Sequence, residues 1–266
     1  PYIQDADIIW ILSNYICDAI PLEVYKSKKV ITTIHHIVPW KMDKKRINHY
    51  KKIDQITDIY HSICDKTTDE LKKYTKKKIV TLPFWNNQNI YFKLHKKKYE
   101  LRKKYNIDKE CFLLGSFQRD TEGNSIESGE FLPKLEKGPD IFIEVVKHFK
   151  NLYSNVEVLL TGRCRQYVMK ELQKNSVKYN YFEMVTKEQI NELYNCLDIY
   201  IVGSRVEGGP RSINECALAE VPIISTDVGI ANKILSKESI FDPENIKNLS
   251  NTRPNEEYAY DNAKLL

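Results

Sequence analysis

The sequence predicts an α/β protein built of doubly wound, parallel sheets. Short apolar runs rich in β-branched residues recur along the 266 residues, and segments with the 3.6-residue period of an amphipathic helix lie between them. Strand and helix in repeated alternation are typical of sheets that carry helices on both faces. A hydrophobic content of 42% is enough for one large domain or two modest ones with cores of their own.

The predicted strands are continuous apolar runs, as expected for parallel strands buried on both faces. In chain order they are residues 7–12, 29–34, 111–117, 156–162, 198–204 and 222–226. The predicted helices are residues 139–152, 165–175, 187–197 and 213–220. A polar stretch, 93–109, predicts the boundary between a first domain, residues 1–105, and a second, residues 106–266.

Residues 119–138, RDTEGNSIESGEFLPKLEKG, are rich in glycine, serine and acidic side chains. They follow a predicted strand directly and predict a long loop. Ligands of parallel sheets bind at the carboxyl ends of the strands, so this loop is placed to cover one.

The charge of the chain is unevenly distributed. Residues 1–110 hold 23 Lys and Arg against 13 Asp and Glu, a net charge of +10, whereas residues 111–266 have 18 against 23, a net charge of −5. Three basic stretches, 41–52, 72–78 and 93–104, are compatible with helices. We interpret them as solvated helix faces, with an anionic acceptor or an anionic membrane surface as the alternative partner. The sequence contains no zinc-finger or RNP motif, and we expect no nucleic-acid partner.

Two further patterns bear on compartment and class. No apolar run approaches the roughly 20 residues of a membrane helix, and the first residues lack a signal-peptide pattern. We therefore predict a cytoplasmic protein, with peripheral membrane contact as an extension. The six cysteines form no C-x-x-C pair and are interpreted as reduced core residues rather than disulfides or zinc ligands.

The segment from Gly203 to Gly229 reads GSRVEGGPRSINECALAEVPIISTDVG and joins the end of a strand to a short helix. Gly208 and Gly209 let a ligand approach the backbone, and Pro210 is favoured at the first helical position. The helix N-terminus then offers free amides and a positive dipole end to an anion such as a diphosphate. Glu215 carries an acceptor-only carboxylate, which suits a ribose diol. An exposed turn with a solvated Glu207 is the alternative interpretation of these residues alone.

This segment resembles the signature of the group 1 glycosyltransferases, glycosyltransferase family four. The family reads S-x-x-E-G-x-P, then a second glutamate with seven residues between the two, then A-x-x-x-x-P-V-I-x-T-x-x-G. The resemblance extends over about residues 111–235: CFLLGSF and LEKGPDIFIEVV are similar to the family's strand, phosphate loop and K-G helix, and VEVLLTG to its next strand.

The resemblance implies the GT-B fold, with two Rossmann-like domains: here a complete C-terminal donor-binding domain and a partial N-terminal, acceptor-side domain. It implies that Glu215 binds the ribose hydroxyls, that Glu207 lies near the donor sugar, and that Lys137 stabilises the leaving diphosphate. The implied donor-binding residues are Arg119, Lys137, Gly162, Arg205, Glu207, Gly208, Gly209, Pro210 and Glu215. The companion arginine of the family has three candidates, since Ser116 stands at the usual position: Arg119, Arg205 and Arg163.

The first domain resembles the family more weakly. KVITTIHHIVPW is similar to its T-x-H segment, which makes His35 the implied catalytic histidine, with His36 as the alternative. The implied catalytic residues are then His35, Glu207 and Lys137. Cys64 and Trp85 stand where the family has serine and glycine.

The function implied by the resemblance is transfer, with retention, of a sugar from a nucleoside diphosphate to a hydroxyl of a glycan or lipid-linked acceptor. No metal and no other cofactor are expected, and UDP, GDP and ADP remain open as the nucleotide. Two alternatives are kept: a nucleotide-sugar-binding module or fragment without turnover, and a GT-B-like nucleotide-sugar epimerase.

Overall fold

A computed structural model describes residues 5–14, 20–95 and 97–266. Contacts between residues divide the chain into two compact units. The first unit is Pro1–Phe84 with Val206–Gly209, and the second is Trp85–Arg205 with Pro210–Leu266. Each unit contains its own parallel sheet, so the predicted α/β class with parallel sheets is confirmed.

The sheet of the first unit has four parallel strands in the order β1-β2-β3-β4. Its strands are β1 (Ile8–Ile11), β2 (Lys29–Ile34), β3 (Ile59–Ser62) and β4 (Lys78–Thr81), and its helices are α1 (Leu22–Lys26), α2 (Lys44–Ile56) and α3 (Asp65–Leu71). Val30, Ile34, Ile53, Tyr60 and Leu71 lie in its core. Asp43 directly precedes helix α2, and its side chain accepts from the Arg46 amide and so caps the helix.

The sheet of the second unit has five parallel strands in the order β7-β6-β5-β8-β9. Its strands are β5 (Phe112–Ser116), β6 (Val156–Thr161), β7 (Lys178–Phe182), β8 (Ile199–Val202) and β9 (Ile223–Ser225). Its helices are α4 (Lys98–Lys104), α5 (Asn124–Glu127), α6 (Pro139–Leu152), α7 (Gln166–Lys174), α8 (Lys187–Tyr194), α9 (Arg211–Leu218), α10 (Ala231–Ile234) and α11 (Glu256–Lys264). The chain adds β6 and β7 on one side of β5 and then β8 and β9 on the other. The strand order therefore reverses between β5 and β8, which makes their carboxyl ends a topological switch point.

All six predicted strands are present within two residues of the predicted ends, and α6 spans the predicted 139–152. The prediction that every strand is buried on both faces is wrong for β1, because β1 is an edge strand with Ile8 and Trp10 half exposed. Residues 72–78, a basic stretch compatible with a helix, do not form one, since α3 ends at Leu71 and β4 begins at Lys78. The predicted loop 119–138 contains the short helix α5 and a bridge between Thr121 and Pro133. Pro210 precedes α9 by one residue rather than opening it.

Residues 85–105, which the sequence analysis places in the first domain, group with the second unit. The Phe92 amide donates to Asn191 Oδ1 at 3.1 Å, and the Leu94 amide to Asn195 Oδ1 at 2.8 Å. Buried Arg102 donates to the Cys196 carbonyl at 2.9 Å and pairs with Asp198 at 2.7 Å. These bonds hold the polar linker on the second unit; the assignment of the domains as acceptor and donor side stays a prediction.

Within the described residues, no helix is long and apolar enough to cross a membrane. Five cysteines of that part carry free thiols, and four of them are buried. Cys17 lies outside the described residues.

Candidate functional site

Lys137 lies at the carboxyl ends of β5 and β8, the two strands between which the strand order reverses. It ends the 3₁₀ turn Leu135–Lys137, and its carbonyl accepts from Gln118 Nε2 at 2.9 Å, just after β5. Ser204 Oγ, just after β8, lies 3.4 Å from the same carbonyl. The Arg205 amide donates to the Glu136 carbonyl at 2.9 Å. The turn that carries the half-buried lysine is therefore fixed from both sides of the switch point.

Gly138 follows Lys137 and has a left-handed backbone, with φ +59°. A Cβ at this position would lie 1.8 Å from the Gly203 carbonyl oxygen, at the end of β8. The close approach of the two backbones requires glycine at residue 138, and it presses the start of α6 against the end of β8.

Arg165 is a residue that the sequence analysis did not identify. Its side chain is fully buried and donates to the carbonyls of Ser116 and Thr161, at 2.5 and 2.7 Å, where β5 and β6 end. It also pairs with Asp120 at 2.5 Å. Burial raises the pKa of Asp120, and the charge and hydrogen bond of Arg165 oppose that rise. The pair ties together the loops that follow β5 and β6.

The predicted anion-binding groups of these loops have different environments. Gly162, with φ +84°, accepts at its carbonyl from the Tyr181 hydroxyl at 3.0 Å. Arg119 and Arg163 are exposed. Arg205 instead makes a bidentate pair with Asp140 at 2.7 and 2.6 Å. Burial raises the pKa of Asp140, but the hydrogen bond and charge of Arg205 outweigh burial and leave it lowered. Arg205 is thus engaged in holding the first turn of α6.

Glu215 lies on α9 with only 13% of its side chain exposed. Its Oε2 accepts from the Tyr194 hydroxyl at 2.8 Å. Burial raises the pKa of Glu215, and the hydrogen bond from Tyr194, the charge of Arg211 and the nearby Tyr91 hydroxyl oppose the rise. The carboxylate is therefore a buried, oriented acceptor rather than a solvated surface charge.

Arg211 is a second residue that the sequence analysis did not name. It begins α9, and its Nε lies 3.9 Å from Glu215 Oε1. Asn86 holds its guanidinium, because Asn86 Oδ1 accepts from Nη2 at 3.1 Å. Its place one helical turn before Glu215 is the sequence signal that could have found it. Arg211 adds a cation to the positive N-terminal end of the helix dipole.

In the first unit, His35 follows β2 and is exposed. Its Nε2 lies 2.8 Å from the Leu12 carbonyl oxygen, and because a carbonyl oxygen only accepts, Nε2 carries a proton and donates. Gly208 packs on the same residue, since a Cβ on Gly208 would lie 1.8 Å from the His35 carbonyl oxygen. Glu207 and Gly209, which flank Gly208 in the chain, are half-buried.

No group of three or more potential metal ligands occurs among the described residues. An Asp-x-Asp pair, Asp5 and Asp7, is exposed directly before β1. A cavity of about 550 Å³ lies in the second unit at the amino-terminal ends of β6 and β7, where Asp108, Glu157 and Lys178 line it. It is at the opposite edge of the sheet from Lys137, so we place the candidate site by its chemistry and not by this cavity.

Comparison with known proteins agrees with this geometry. Residues 125–252, just under half of the chain, match the family model of the glycosyl transferases group 1. The resemblance to group 1 glycosyltransferases is thereby confirmed. The matched segment contains Lys137, Arg165 and Glu215. A comparison with curated proteins found no match.

Solved structures confirm the GT-B fold. Sucrose-phosphate synthase from Thermosynechococcus elongatus is 12% identical, with a TM-score of 0.73, and the match covers 98% of this chain and 69% of that protein. HepE from Anabaena, solved with UDP and glucose, is 13% identical, with a TM-score of 0.73 and coverage of 98% and 73%. A glycosyltransferase from Rickettsia africae is 17% identical, with a TM-score of 0.68 and coverage of 98% and 72%. At these identities, the likeness to these structures concerns the fold alone.

Proposed function

We propose that this chain transfers a sugar, with retention and without a metal ion, from a nucleoside-diphosphate sugar to a hydroxyl of a glycan or lipid-linked acceptor. One observation carries the proposal: Lys137 and Glu215 are held on the two sides of the segment that follows β5. The Lys137 carbonyl accepts from Gln118 Nε2. Tyr194, whose hydroxyl donates to Glu215, stacks on Phe117 with ring centroids 4.8 Å apart. A cation and a buried acceptor at a switch point suit a diphosphate and a ribose.

In this proposal, Lys137 offers its charge to the diphosphate as the bond to the sugar breaks, when that charge develops on the leaving group. Arg119 and the backbone at Gly162 lie on the neighbouring strand ends and complete the anion site. Glu215 accepts from the ribose diol. The leaving phosphate assists deprotonation of the acceptor hydroxyl on the same face of the sugar, which gives retention.

The roles of His35, Glu207, Gly208, Gly209 and Pro210 next to the donor sugar rest on the resemblance. HepE, solved with UDP-glucose, supports a nucleotide-sugar donor, although UDP, GDP and ADP remain candidates here. The proposed setting is cytoplasmic.

Two alternatives make different predictions. A nucleotide-sugar-binding module binds the donor but does not release nucleotide when an acceptor is added. A nucleotide-sugar epimerase interconverts its donor without an acceptor. Measuring nucleotide release with and without acceptor separates both alternatives from transfer.

Replacing Glu215 by glutamine is expected to weaken nucleotide binding at least tenfold, because the neutral amide forms weaker hydrogen bonds with the diol than a carboxylate does. Calorimetric titration with UDP, GDP and ADP and their sugar conjugates measures the effect. Glu192→Gln is the matched control, since Glu192 also accepts from a tyrosine, Tyr105, but on α8 away from the switch point. Equal affinities of wild type and Glu215→Gln would refute the ribose role.

The proposal of a peripheral contact with an anionic membrane rests on helix α2. Lys44, Lys45, Lys51 and Lys52 are exposed and share one face of this helix. Each lysine contributes about 1 kcal/mol at an anionic surface, so replacing all four by glutamine is expected to weaken binding to phosphatidylserine vesicles on the order of a hundredfold or more. Sedimentation with phosphatidylserine and with phosphatidylcholine vesicles at two salt concentrations measures it. Binding that ignores salt and the four replacements would exclude this surface as the contact.

A further inference from the structure

The Tyr194 hydroxyl donates to Glu215 Oε2 at 2.8 Å. Tyr91 lies beside this pair, since its ring meets the ring of Tyr194 edge-on. Tyr194 is 1% exposed and Tyr91 5% exposed, so bulk water does not compete for the bond to Glu215. A phenol buried against a carboxylate at this position lies within the proposed site, yet none of the roles given above uses it.

The ring of Tyr194 is fixed by its aromatic neighbours. It stacks on Phe117, with centroids 4.8 Å apart and planes 27° apart, and it meets Tyr200 edge-on at 5.6 Å and Tyr91 at 6.4 Å. The Phe117 amide donates to the Tyr200 hydroxyl at 2.8 Å, which ties this aromatic cluster to the end of β5. The position of the Tyr194 hydroxyl is therefore set by the sheet and not by α8 alone.

The two oxygens of Glu215 have different surroundings. Oε2 points to the buried phenol of Tyr194, whereas Oε1 faces Arg211, whose side chain is 59% exposed. The titratable and charged groups that face the carboxylate are Tyr194, Tyr91, Arg211 and Lys187, and the buried Cys216 thiol is adjacent. One oxygen is thus engaged with the protein interior, and the other lies towards the exposed end of the site.

We propose that Tyr194 is a positioning residue for nucleotide recognition, whose hydroxyl holds Glu215 Oε2 so that Oε1 accepts from the ribose diol. This inference rests on the proposed function. It adds a residue that acts through Glu215 rather than on the ligand itself.

The proposal has a defined pH dependence. Burial raises the pKa of Glu215, and the hydrogen bond from Tyr194 is among the interactions that hold this rise in check. Donor affinity is then highest above that pKa, where Glu215 is a carboxylate, and falls as the pH drops through it. Removing the phenol removes an interaction that favours the carboxylate. The fall of donor affinity towards low pH, its acid limb, therefore moves to higher pH.

The test uses Tyr194→Phe, with Tyr105→Phe as the matched control that removes the tyrosine–glutamate bond to Glu192. The first readout is the carboxyl ¹³C titration of Glu215 in the nucleotide-free protein, assigned with Glu215→Gln. The second is the affinity for UDP-glucose from pH 5 to 8, with GDP-mannose and ADP-glucose in parallel. These diphosphates are esterified at both ends and do not titrate in this range.

We expect Tyr194→Phe to move the Glu215 midpoint and the acid limb of donor affinity to higher pH together, and to weaken binding about tenfold at neutral pH. Tyr91→Phe should move both in the same direction, and Tyr105→Phe should move neither. Circular dichroism verifies that each variant is folded.

A Glu215 midpoint that Tyr194→Phe leaves unchanged would overturn the inference, as would a weaker affinity with no shift of its acid limb. Failure of wild type to bind any of the three donors would refute the proposed function and with it the ribose role. In that case the carboxyl titration still decides whether Tyr194 holds Glu215, so the two failures are distinguishable.

Discussion

Replacing Arg165 by methionine is expected to lower the free energy of unfolding by about 3–5 kcal/mol, the usual cost of removing one partner of a buried ion pair. Methionine fills similar space but leaves the Asp120 carboxylate, only 2% exposed, without its cation. The carbonyls of Ser116 and Thr161 lose their donor as well. Urea denaturation followed by circular dichroism measures the loss.

Arg163→Met is the matched control, because Arg163 is exposed two residues earlier and its replacement should cost within about 0.5 kcal/mol. Adding Asp120→Asn to Arg165→Met removes the uncompensated charge and should recover part of the loss. A cost for Arg165→Met no larger than that of Arg163→Met would show that the pair does not hold the loops after β5 and β6.

Gly138→Ala is expected to destabilise the protein by about 2–4 kcal/mol. A left-handed backbone costs a residue with a Cβ about 1–2 kcal/mol, and the new Cβ would lie 1.8 Å from the Gly203 carbonyl oxygen, so the backbone must also move. Because Lys137 is the preceding residue, we expect donor binding to weaken with stability. Urea denaturation and donor titration measure the two effects.

Two other glycines separate backbone strain from the clash. Gly129 has φ +73° but open space around a Cβ, so Gly129→Ala should cost only the strain, about 1 kcal/mol. Gly123 has a helical backbone, φ −59°, and open space, so Gly123→Ala should stabilise by about 0.4–1 kcal/mol. If Gly138→Ala cost no more than Gly129→Ala, the backbone contact with Gly203 would have no energetic weight.

Elements that follow a local pattern were predicted well from the sequence. The central strands β5, β6 and β8 are continuous apolar runs, because both faces of each are covered, and α6 has the helical period over its full length. Three strands are absent from the periodicity prediction. The interior strand β3 reads IYHS and includes two buried polar residues, and the other two, β4 and β7, are edge strands. An edge strand has a neighbouring strand of the sheet on one side only. The sequences of β4, KIVT, and β7, KYNYF, therefore need less apolar surface than an interior strand does.

The sequence by itself determined the α/β class and the resemblance to group 1 glycosyltransferases, and it singled out Lys137 and Glu215 as candidate site residues, since each depends on types and spacings within a short segment. Only the tertiary structure decided what surrounds those residues. Arg165 lies 45 residues from Asp120, and Tyr194 lies 21 residues from Glu215, so neither pair has a local signature. Arg205 was a candidate for the anion site, but folding placed it opposite Asp140. For Arg165 and Glu215 the physical reason is the same: a buried charge needs a partner, and the fold, not the neighbouring sequence, determines which partner is in reach.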